Sequence, residues 1–424
     1  MVGGLHEVQW MIFFRVLLRG AFSLALVFVW LSSATAEQVS INASFKPDSA
    51  YPQRNKFIND TPSSGYCAGY AQQCKDNEMF SLQVPIRFYS AGPIVANHPS
   101  IRQGAMFKVP TQWRDLTVTH QGTAETKTLK VRIAGLGSKY LTENIMKLVG
   151  PRPDYRDAHW ALWDGTWVNT PPPCTYSGVG VIWENGYGFF WKTPTEGVCS
   201  RQAKFDIPWL RYDYLDFAYE LETPSPLEMS SGKYMGTLTY TLGPGADFDF
   251  GDIMLPTDSA LTLNFELEVQ HTLKVDIPPG GTRVELVPLG GWQAWLNQGR
   301  KPTRLFRDQT FNISTSSRFK MQMTCEFAVG DTCGLEARGG RSVPLQVAVT
   351  LPAGLTSAAG GAVIRQPLRI SGTGTELFQP GVYVDRKPGT LHFAVEQADV
   401  EHMLSGGAAT YKGNVTVIWD SEVG

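Results

Sequence analysis

Apolar and polar residues alternate along much of this chain with a period of two. The pattern is clear in segments 80–87, 126–133 and 261–269. It is typical of β-strands that bury one face, and clusters of Gly, Pro, Asn and Asp between such segments predict turns. Only two short segments, 141–148 and 396–404, carry a helical pattern instead. We therefore expect an all-β protein with little helix.

A seven-residue pattern occurs twice. Residues 234–240 and 411–417 both read Tyr-x-Gly-x-apolar-Thr-apolar, and each follows a lead-in of small residues. Each copy then continues with the alternation of a half-buried strand. The repetition predicts two domains of related build, each with such a strand near its end.

The boundary between these domains is predicted near residues 270–272. The alternating segment 261–269 is followed almost at once by a second, 273–277, with no Asn-Gly or Asp-Gly hairpin turn between them. Short alternating segments recur beyond this point, which is typical of an immunoglobulin-like sandwich. We expect two such sandwiches in tandem, over residues 37–270 and 272–424.

The first residues predict a signal peptide. Arg15 and Arg19 precede an apolar run at 21–31, which ends in Ser-Ser-Ala-Thr-Ala. We expect cleavage between Ala36 and Glu37, so that residues 1–36 are removed, with Met1 or Met11 as the start. A membrane anchor is the alternative, but the run is shorter than the ~20 residues that a span needs. No later segment reaches that length.

Composition and cysteines fit an exported protein. A net charge of −2 and a pI near 6.4 give no bulk attraction to nucleic acid or anionic lipid. In an oxidising compartment the six cysteines are expected to form disulfides, and pairing of neighbours in sequence is favoured, although six thiols allow many connectivities. Zinc lacks support because there is no C-x2-C pair. The favoured pairs are Cys67 with Cys74, Cys174 with Cys199, and Cys325 with Cys333.

Aromatic and basic residues supply candidate ligand contacts. Six of the 12 tryptophans lie between positions 160 and 209. Flat rings can stack on sugar C–H groups, and polar neighbours can add directional hydrogen bonds. The alternative is that the rings fill the core and that basic residues on one strand are a solvated face. The candidate contacts are Trp160, Trp163, Trp167, Trp183, Trp191, Arg201, Lys130 and Arg132.

Catalytic and metal motifs are weak. The histidines are scattered, and there is no G-x-S-x-G, H-E-x-x-H or Walker motif. Asp247, Asp249 and Asp252 have a loose spacing for calcium but lack the later bidentate Glu, so a solvated turn is favoured. We expect no enzyme activity, no cofactor and no metal.

Several segments, taken in order, resemble the minor tip adhesin, or pilus initiator, of the alternate chaperone-usher family of CFA/I, CS1 and cable pili. They are residues 261–277, 283–286, 389–395 and 411–417. The resemblance implies an N-terminal adhesin domain and a C-terminal pilin domain that lacks its final strand. It also implies a periplasmic chaperone, an outer-membrane usher and a major pilin, which supplies the missing strand, as partners. The protein would pass through the periplasm to the fimbrial tip and bind a host-surface glycan or glycoprotein there.

The strand that borders the resulting groove is predicted at the end of the chain. Tyr411, Gly413, Val415, Val417 and Trp419 would share one face of it. The alternative is an ordinary paired strand of a complete domain. Segment 39–45 is open to two interpretations, a donor strand or the first strand of the N-terminal domain.

One departure from the family leaves the receptor undecided. Family members carry basic receptor contacts after the mid-chain pattern, whereas residues 243–252 here are acidic and contain no arginine. The expected function is that of a fimbrial tip adhesin, which binds without turnover. The alternatives are a non-adhesive adaptor or initiator pilin and, more distantly, a secreted carbohydrate-active enzyme.

Overall fold

The computed structural model describes residues 36–421 of the chain. Residues 1–35 of the predicted signal peptide therefore lie outside the described residues, whereas Ala36 and Glu37 begin the first strand. Within 36–421, no helix is long and apolar enough to cross a membrane.

The described residues from Ala36 to Val269 are mainly strands, with two 3-10 turns at Ile101–Gln103 and Pro226–Glu228. Its four helices are α1 (Tyr66–Gly69), α2 (Ala71–Asp76), α3 (Ile145–Val149) and α4 (Tyr155–Trp163). Its strands are β1 (Ala36–Phe45), β2 (Ile58–Asn59), β3 (Phe80–Val84), β4 (Phe88–Ser90), β5 (Ala105–Phe107), β6 (Arg114–His120), β7 (Thr126–Leu141), β8 (Thr175–Trp183), β9 (Gly186–Lys192), β10 (Cys199–Arg201), β11 (Arg211–Tyr212), β12 (Leu215–Glu222), β13 (Gly232–Thr241), β14 (Met254–Pro256) and β15 (Ala260–Val269).

The described residues from Leu273 to Ser421 are also mostly β. Its helices are α5 (Gln293–Gln298) and α6 (Gln397–Ser405). Its strands are β16 (Leu273–Asp276), β17 (Val287–Pro288), β18 (Leu305–Thr315), β19 (Phe319–Cys325), β20 (Ala328–Val329), β21 (Thr332–Ala337), β22 (Arg341–Thr350), β23 (Leu355–Ser357), β24 (Gln366–Pro367), β25 (Phe378–Pro380), β26 (Val384–Val395), β27 (Tyr411–Lys412) and β28 (Val415–Ser421).

In the N-terminal part, thirteen strands join in one sheet that curls around a core. The main path runs β14-β4-β11-β7-β6-β13-β15-β1-β2, and β12, β3, β9 and β8 extend it on either side of β7. Alternation in β15 buries Leu261, Leu263 and Phe265 almost completely. Strand β1 pairs with β15 in parallel over its whole length. Segment 39–45 is therefore the first strand of this sheet.

The C-terminal part is a two-layer sandwich. One sheet has the order β16-β18-β26-β22-β21-β20, and the other has the order β23-β25-β19-β28. Both sheets bury side chains in a common core, for example Phe311 and Val347 from the first and Phe319 and Phe378 from the second. This packing of two β-layers on one apolar core is the arrangement expected from the sequence.

The two cores meet at a short joint. The first core includes Val269, and Leu273 packs at the margin of the second. Between them, His271 places Nε2 2.8 Å from the carbonyl oxygen of Met229 and Nδ1 3.1 Å from Oγ of Ser316. One side chain thus contacts residues of both parts, which ties them together at the joint.

The glycine of the seven-residue pattern has the same structural role in both copies. A Cβ at Gly236 would lie 2.5 Å from the carbonyl oxygen of Thr117, and one at Gly413 would lie 2.6 Å from that of Gly334. Each glycine thus permits close approach of a neighbouring strand. The copies differ in their pairing, because β13 has a strand on both sides, whereas β27 and β28 do not form one continuous strand.

Candidate functional site

The first candidate site is the edge of β28. This strand pairs with β19, in a register that runs from Val415 opposite Cys325 to Ser421 opposite Phe319. Among the described residues, no other strand pairs with β28. Its other backbone edge therefore presents N–H and C=O groups that a further strand can pair with.

Apolar side chains on β28 point inward but are only partly covered. Val415, Val417 and Trp419 pack against the C-terminal core and remain half-buried. Trp419 meets Phe311 edge to face, with 4.8 Å between ring centroids. The corresponding inward residues of β15, such as Phe265, are almost completely buried. The inner face of β28 therefore lacks part of the cover that a complete sheet provides.

The opposite side of this opening is also apolar. Leu273 and Val275 of β16, and Val284 and Leu286 after it, are half-buried against the same core. Strand β16 is the edge of its own sheet. Leu273 and Ser421 line one small cavity, so the two edges lie close together at that end. We refer to these residues, with Val415, Val417 and Trp419, as the groove rows.

Only part of the predicted groove face lies on β28. Val415, Val417 and Trp419 do so, whereas Tyr411 belongs to β27 and pairs with Ala337 of β21 in the other sheet. Gly413 abuts that same strand. The chain crosses from one sheet to the other between β27 and β28, so the five residues do not form a single strand face.

Three of the predicted ligand-contact tryptophans are core residues, which corrects that prediction. Trp163, Trp167 and Trp191 have 2%, 0% and 0% of their surface exposed. Trp191 donates its indole N–H to the carbonyl oxygen of Trp167 at 2.7 Å. Their rings fill the space between α4 and the curled sheet because large aromatic rings gain most by burial. They present no face to solvent.

The other aromatic and basic candidates lie at or near the surface. Trp160 and Trp183 are 51% and 39% exposed. Arg201 is half-buried and donates to the carbonyl oxygen of Asn169, and burial lowers the pKa of Arg201. It holds the loop after α4 in place.

The basic strip on β7 is neutralised. Lys130 lies 3.5 Å from Glu222, and Arg132 lies 2.7 Å from Glu220, both on the neighbouring β12. The guanidinium of Arg132 also lies over the ring of Trp113. With each cation paired, this strip is a cross-strand ion ladder that offers little net charge to an anionic ligand.

A second candidate site emerges from strand register. Leu255 of β14 is opposite Tyr89 of β4, and Tyr89 is opposite Arg211 of β11. Arg211 is opposite Leu141 of β7, which is opposite Gly186 of β9, and Gly186 is opposite Trp183 of β8. Directly paired residues point to the same side of a sheet. We call this line, on the side away from the core, the outer row: Leu255, Tyr89, Arg211, Leu141, Gly186 and Trp183.

Cations accompany the aromatic rings of the outer row. The ammonium of Lys139 lies 3.9 Å from the ring centroid of Trp183, and the Arg211 guanidinium lies 5.9 Å from that of Tyr89. Arg211 and Arg87 share the carboxylate of Asp213, at 3.1 and 3.7 Å. Within residues 36–421, Lys139 forms no ion pair. Three cations thus lie along the outer row, and two of them share the carboxylate of Asp213.

The rest of this sheet face is covered. Tyr66 of α1 stacks on Phe190 of β9 with ring centroids 4.0 Å apart. The backbone N–H of Tyr66 donates to Oδ2 of Asp216 at 2.8 Å, and burial raises the pKa of Asp216 to about 7. Helices α1 and α2 therefore form a cap over one half of the face and leave the outer row open.

Three disulfides join neighbours in sequence. They link Cys67 with Cys74, Cys174 with Cys199, and Cys325 with Cys333, and no cysteine is left free. These are the pairs that the spacing favoured. The first fastens α1 to α2 within the cap, and the third connects β19 to β21 across the C-terminal sandwich.

The acidic turn after β13 is bound by arginines from elsewhere in the chain. Arg114 pairs with Asp247, and Arg102 contacts Asp249 at 2.8 Å and Asp252 at 2.7 Å. These ion pairs occupy the carboxylates that were considered for calcium. In the part of the chain that the structure describes, no group of acidic, His or Cys side chains is placed to hold a metal. Sequence alone did not reveal that the arginines fold onto this turn.

Comparisons with known proteins give structural neighbours only. No protein-family model and no curated protein matches the chain. It is similar to CfaE, the adhesive subunit of CFA/I fimbria of enterotoxigenic Escherichia coli, at 11% identity over 92% of this chain and 95% of that chain, with a TM-score of 0.24. A structure from a chaperone–tip adhesin complex of CFA/I fimbriae matches at 9% identity, covering 92% and 97%, with a TM-score of 0.23. One from the CsuC–CsuE chaperone–tip adhesion subunit complex of the archaic chaperone-usher Csu pili of Acinetobacter baumannii matches at 8%, covering 91% and 99%, with a TM-score of 0.21.

Proposed function

We propose that this protein is a fimbrial tip adhesin of the alternate chaperone-usher type. Residues 37–270 form the receptor-binding domain, and residues 272–424 form a pilin domain whose last strand position is filled by another subunit. The observation that carries this proposal is the pair of half-buried groove rows beside the unpaired edge of β28.

An inserted strand would complete both the backbone pairing and the apolar packing of the groove. Its backbone pairs with the open edge of β28, and alternate apolar side chains cover Val415, Val417 and Trp419. An apolar edge left open is an aggregation hazard. A periplasmic chaperone is therefore the expected first occupant, and a major pilin subunit, delivered at the outer-membrane usher, is the expected second.

The pairing of β1 supports a terminal position in the fibre. A subunit in the shaft must offer an extended N-terminal segment to its neighbour. Here Val39 to Phe45 pairs with Leu263 to Val269 inside the same chain, and Ile41 and Phe45 are buried. That segment is already paired within its own sheet, which suits a subunit that accepts a strand and donates none. The action of such a subunit is binding at the cell surface, without turnover.

A strand extension tests the proposal. We would append, after Gly424, a four-residue polar turn and a nine-residue strand of alternating Val and Thr, which can fold back beside β28. Completed burial and new backbone hydrogen bonds should raise the unfolding temperature of the C-terminal domain by roughly 5–10 °C, as a few kcal/mol would. Differential scanning calorimetry of the full chain provides the measurement.

The control extension has the same length and the same polar turn, with Val and Thr exchanged in the strand. A one-residue shift turns every apolar side chain to the solvent face, so this control should leave the unfolding temperature nearly unchanged. Equal effects from both extensions, or none from either, would exclude a groove with a fixed register.

A further inference from the structure

We propose that the outer row, together with Lys139, is a platform for an extended acidic saccharide. This inference deepens the proposed function, on which it rests, by naming the ligand class and the face of the N-terminal domain that binds it. The platform differs from the tryptophan-rich region that the sequence suggested, of which only Trp183 belongs to it.

The dimensions of the outer row suit a chain-like ligand. It crosses six adjacent strands, and five strand spacings of about 4.8 Å give a length of roughly 24 Å. Gly186 and Gly188 have no side chains at the β9 position, where the ring of Trp183 leans over the strand. The two glycines therefore let the Trp183 ring lie close to β9 at one end of the row.

Three exposed apolar residues lie along this line. Leu255, Tyr89 and Trp183 are 42%, 41% and 39% exposed, and all three point to the same side of the sheet. Isolated exposed apolar residues are normal on protein surfaces, but Leu255 and Tyr89 adjoin each other across two paired strands. The other half of the same face is covered by α1 and α2, whose ring of Tyr66 stacks on Phe190.

The charges select an acidic ligand. Arg87, Arg211 and Lys139 carry three positive charges against the single carboxylate of Asp213, an excess of two (3 − 1). Glu184, at the margin beyond Trp183, accepts from Asn144 and Tyr155 and reduces the excess to one. A carboxylate or sulfate group supplies the missing counter-charge.

The pairing of rings with cations favours a saccharide over a peptide or a lipid surface. Tyr89 and Trp183 keep 41% and 39% of their surface exposed to sugar C–H groups, and each ring has a cation over one face. A sugar unit that bears an acidic group meets both at once. The two ring–cation pairs flank Leu141, so an oligosaccharide can engage both ends of the row.

The test measures binding of the full chain to three immobilised saccharides: heparin oligosaccharide, polysialic acid fragment and neutral maltohexaose. We expect binding to at least one acidic saccharide and none to maltohexaose. Trp183→Ala and Arg211→Gln should each weaken binding at least tenfold. Binding should also fall as salt rises.

Tyr51→Ala is the matched control. Tyr51 is a 58% exposed aromatic ring with a cation, Arg54, 4.8 Å from its centroid, but it lies outside the outer row. This variant should bind like wild type, and unfolding temperatures verify that all variants fold. Binding to maltohexaose alone, no binding to any of the three, or unchanged binding by Trp183→Ala and Arg211→Gln would overturn the platform. The strand-extension result is independent of these outcomes, so loss of the platform is distinguishable from loss of the tip-subunit proposal.

Discussion

Replacement of Asp216 by Asn should change how stability depends on pH. Asp216 lies beneath the cap and is 6% exposed. Its Oδ2 accepts the N–H of Tyr66, whereas Oδ1 has no hydrogen-bond partner. Burial raises the pKa of this carboxyl from an ordinary value near 3.8 to about 7. The cap therefore covers a group that is costly to ionise.

The direction in which stability changes with pH follows from proton binding by Asp216. Between pH 4 and 7 the folded chain keeps the proton of Asp216 and the unfolded chain releases it, so the free energy of unfolding falls as pH rises. A shift of about 3 units at about 1.4 kcal/mol each gives a loss of about 4 kcal/mol across this window. The stabilisation that comes from protonated Asp216 is fully present below pH 4 and is lost above pH 7. Asn at position 216 does not titrate and should lack this decline.

The assay is urea unfolding of wild type and Asp216→Asn at several pH values from 4 to 8, followed by tryptophan fluorescence. Relative to wild type, the free energy of unfolding of the variant should increase by about 4 kcal/mol as pH rises from 4 to 8. Asp213→Asn, which removes a carboxylate that is 31% exposed, controls for the loss of one negative charge. Parallel pH profiles for wild type and Asp216→Asn would refute the reasoning.

Three further predictions concern the fold. Trp167→Ala should lower the free energy of unfolding by about 3–5 kcal/mol in urea titrations because it empties a core position, whereas exposed Trp160→Ala should change it by less than about 0.5 kcal/mol. Replacing Cys67 and Cys74 together by Ser should lower the free energy of unfolding by about 2–3 kcal/mol in the same urea titrations, because it opens a short covalent loop. An unchanged free energy of unfolding would show that the cap is stable without this disulfide. Gly413→Ala should lower the calorimetric unfolding temperature because its Cβ would meet a backbone oxygen at 2.6 Å, and an unchanged temperature would contradict this account.

Sequence reasoning succeeded where a local pattern determines the outcome. Alternation correctly indicated that Leu261, Leu263 and Phe265 share a buried face and that Val415 and Val417 point inward. The all-β class follows from many such segments. Cysteine spacing likewise favoured the three local disulfides, because short loops close easily.

Sequence reasoning failed where neighbours come from distant parts of the chain. The alternation of β1 does not reveal that Ala36 lies opposite Ala260 in a parallel pair. The outer row likewise depends on which six strands are adjacent. Strand β9 reads as an aromatic cluster because both of its faces are buried, Trp191 in the core and Phe190 beneath the cap. Without alternation, the sequence does not distinguish such a strand from an aromatic binding site.

The helical pattern at 141–148 was also shifted by tertiary structure. Strand β7 continues through Leu141 because that residue pairs with both β9 and β11, so the helix is confined to Ile145–Val149. Helix α4 was not foreseen. Its start is visible in retrospect, because the side chain of Asp154 accepts the N–H of Asp157 as an N-terminal cap.

Amide hydrogen exchange along β28 tests the central claim most directly. In the full chain without an added strand, amides of Val415–Ser421 that point away from β19 should exchange rapidly, while those that point toward β19 are protected. The register-matched extension should slow the first set to the rate of the second. Protection of every β28 amide in the chain alone would mean that the edge is already satisfied, and the proposed acceptance of a strand from another subunit would be wrong.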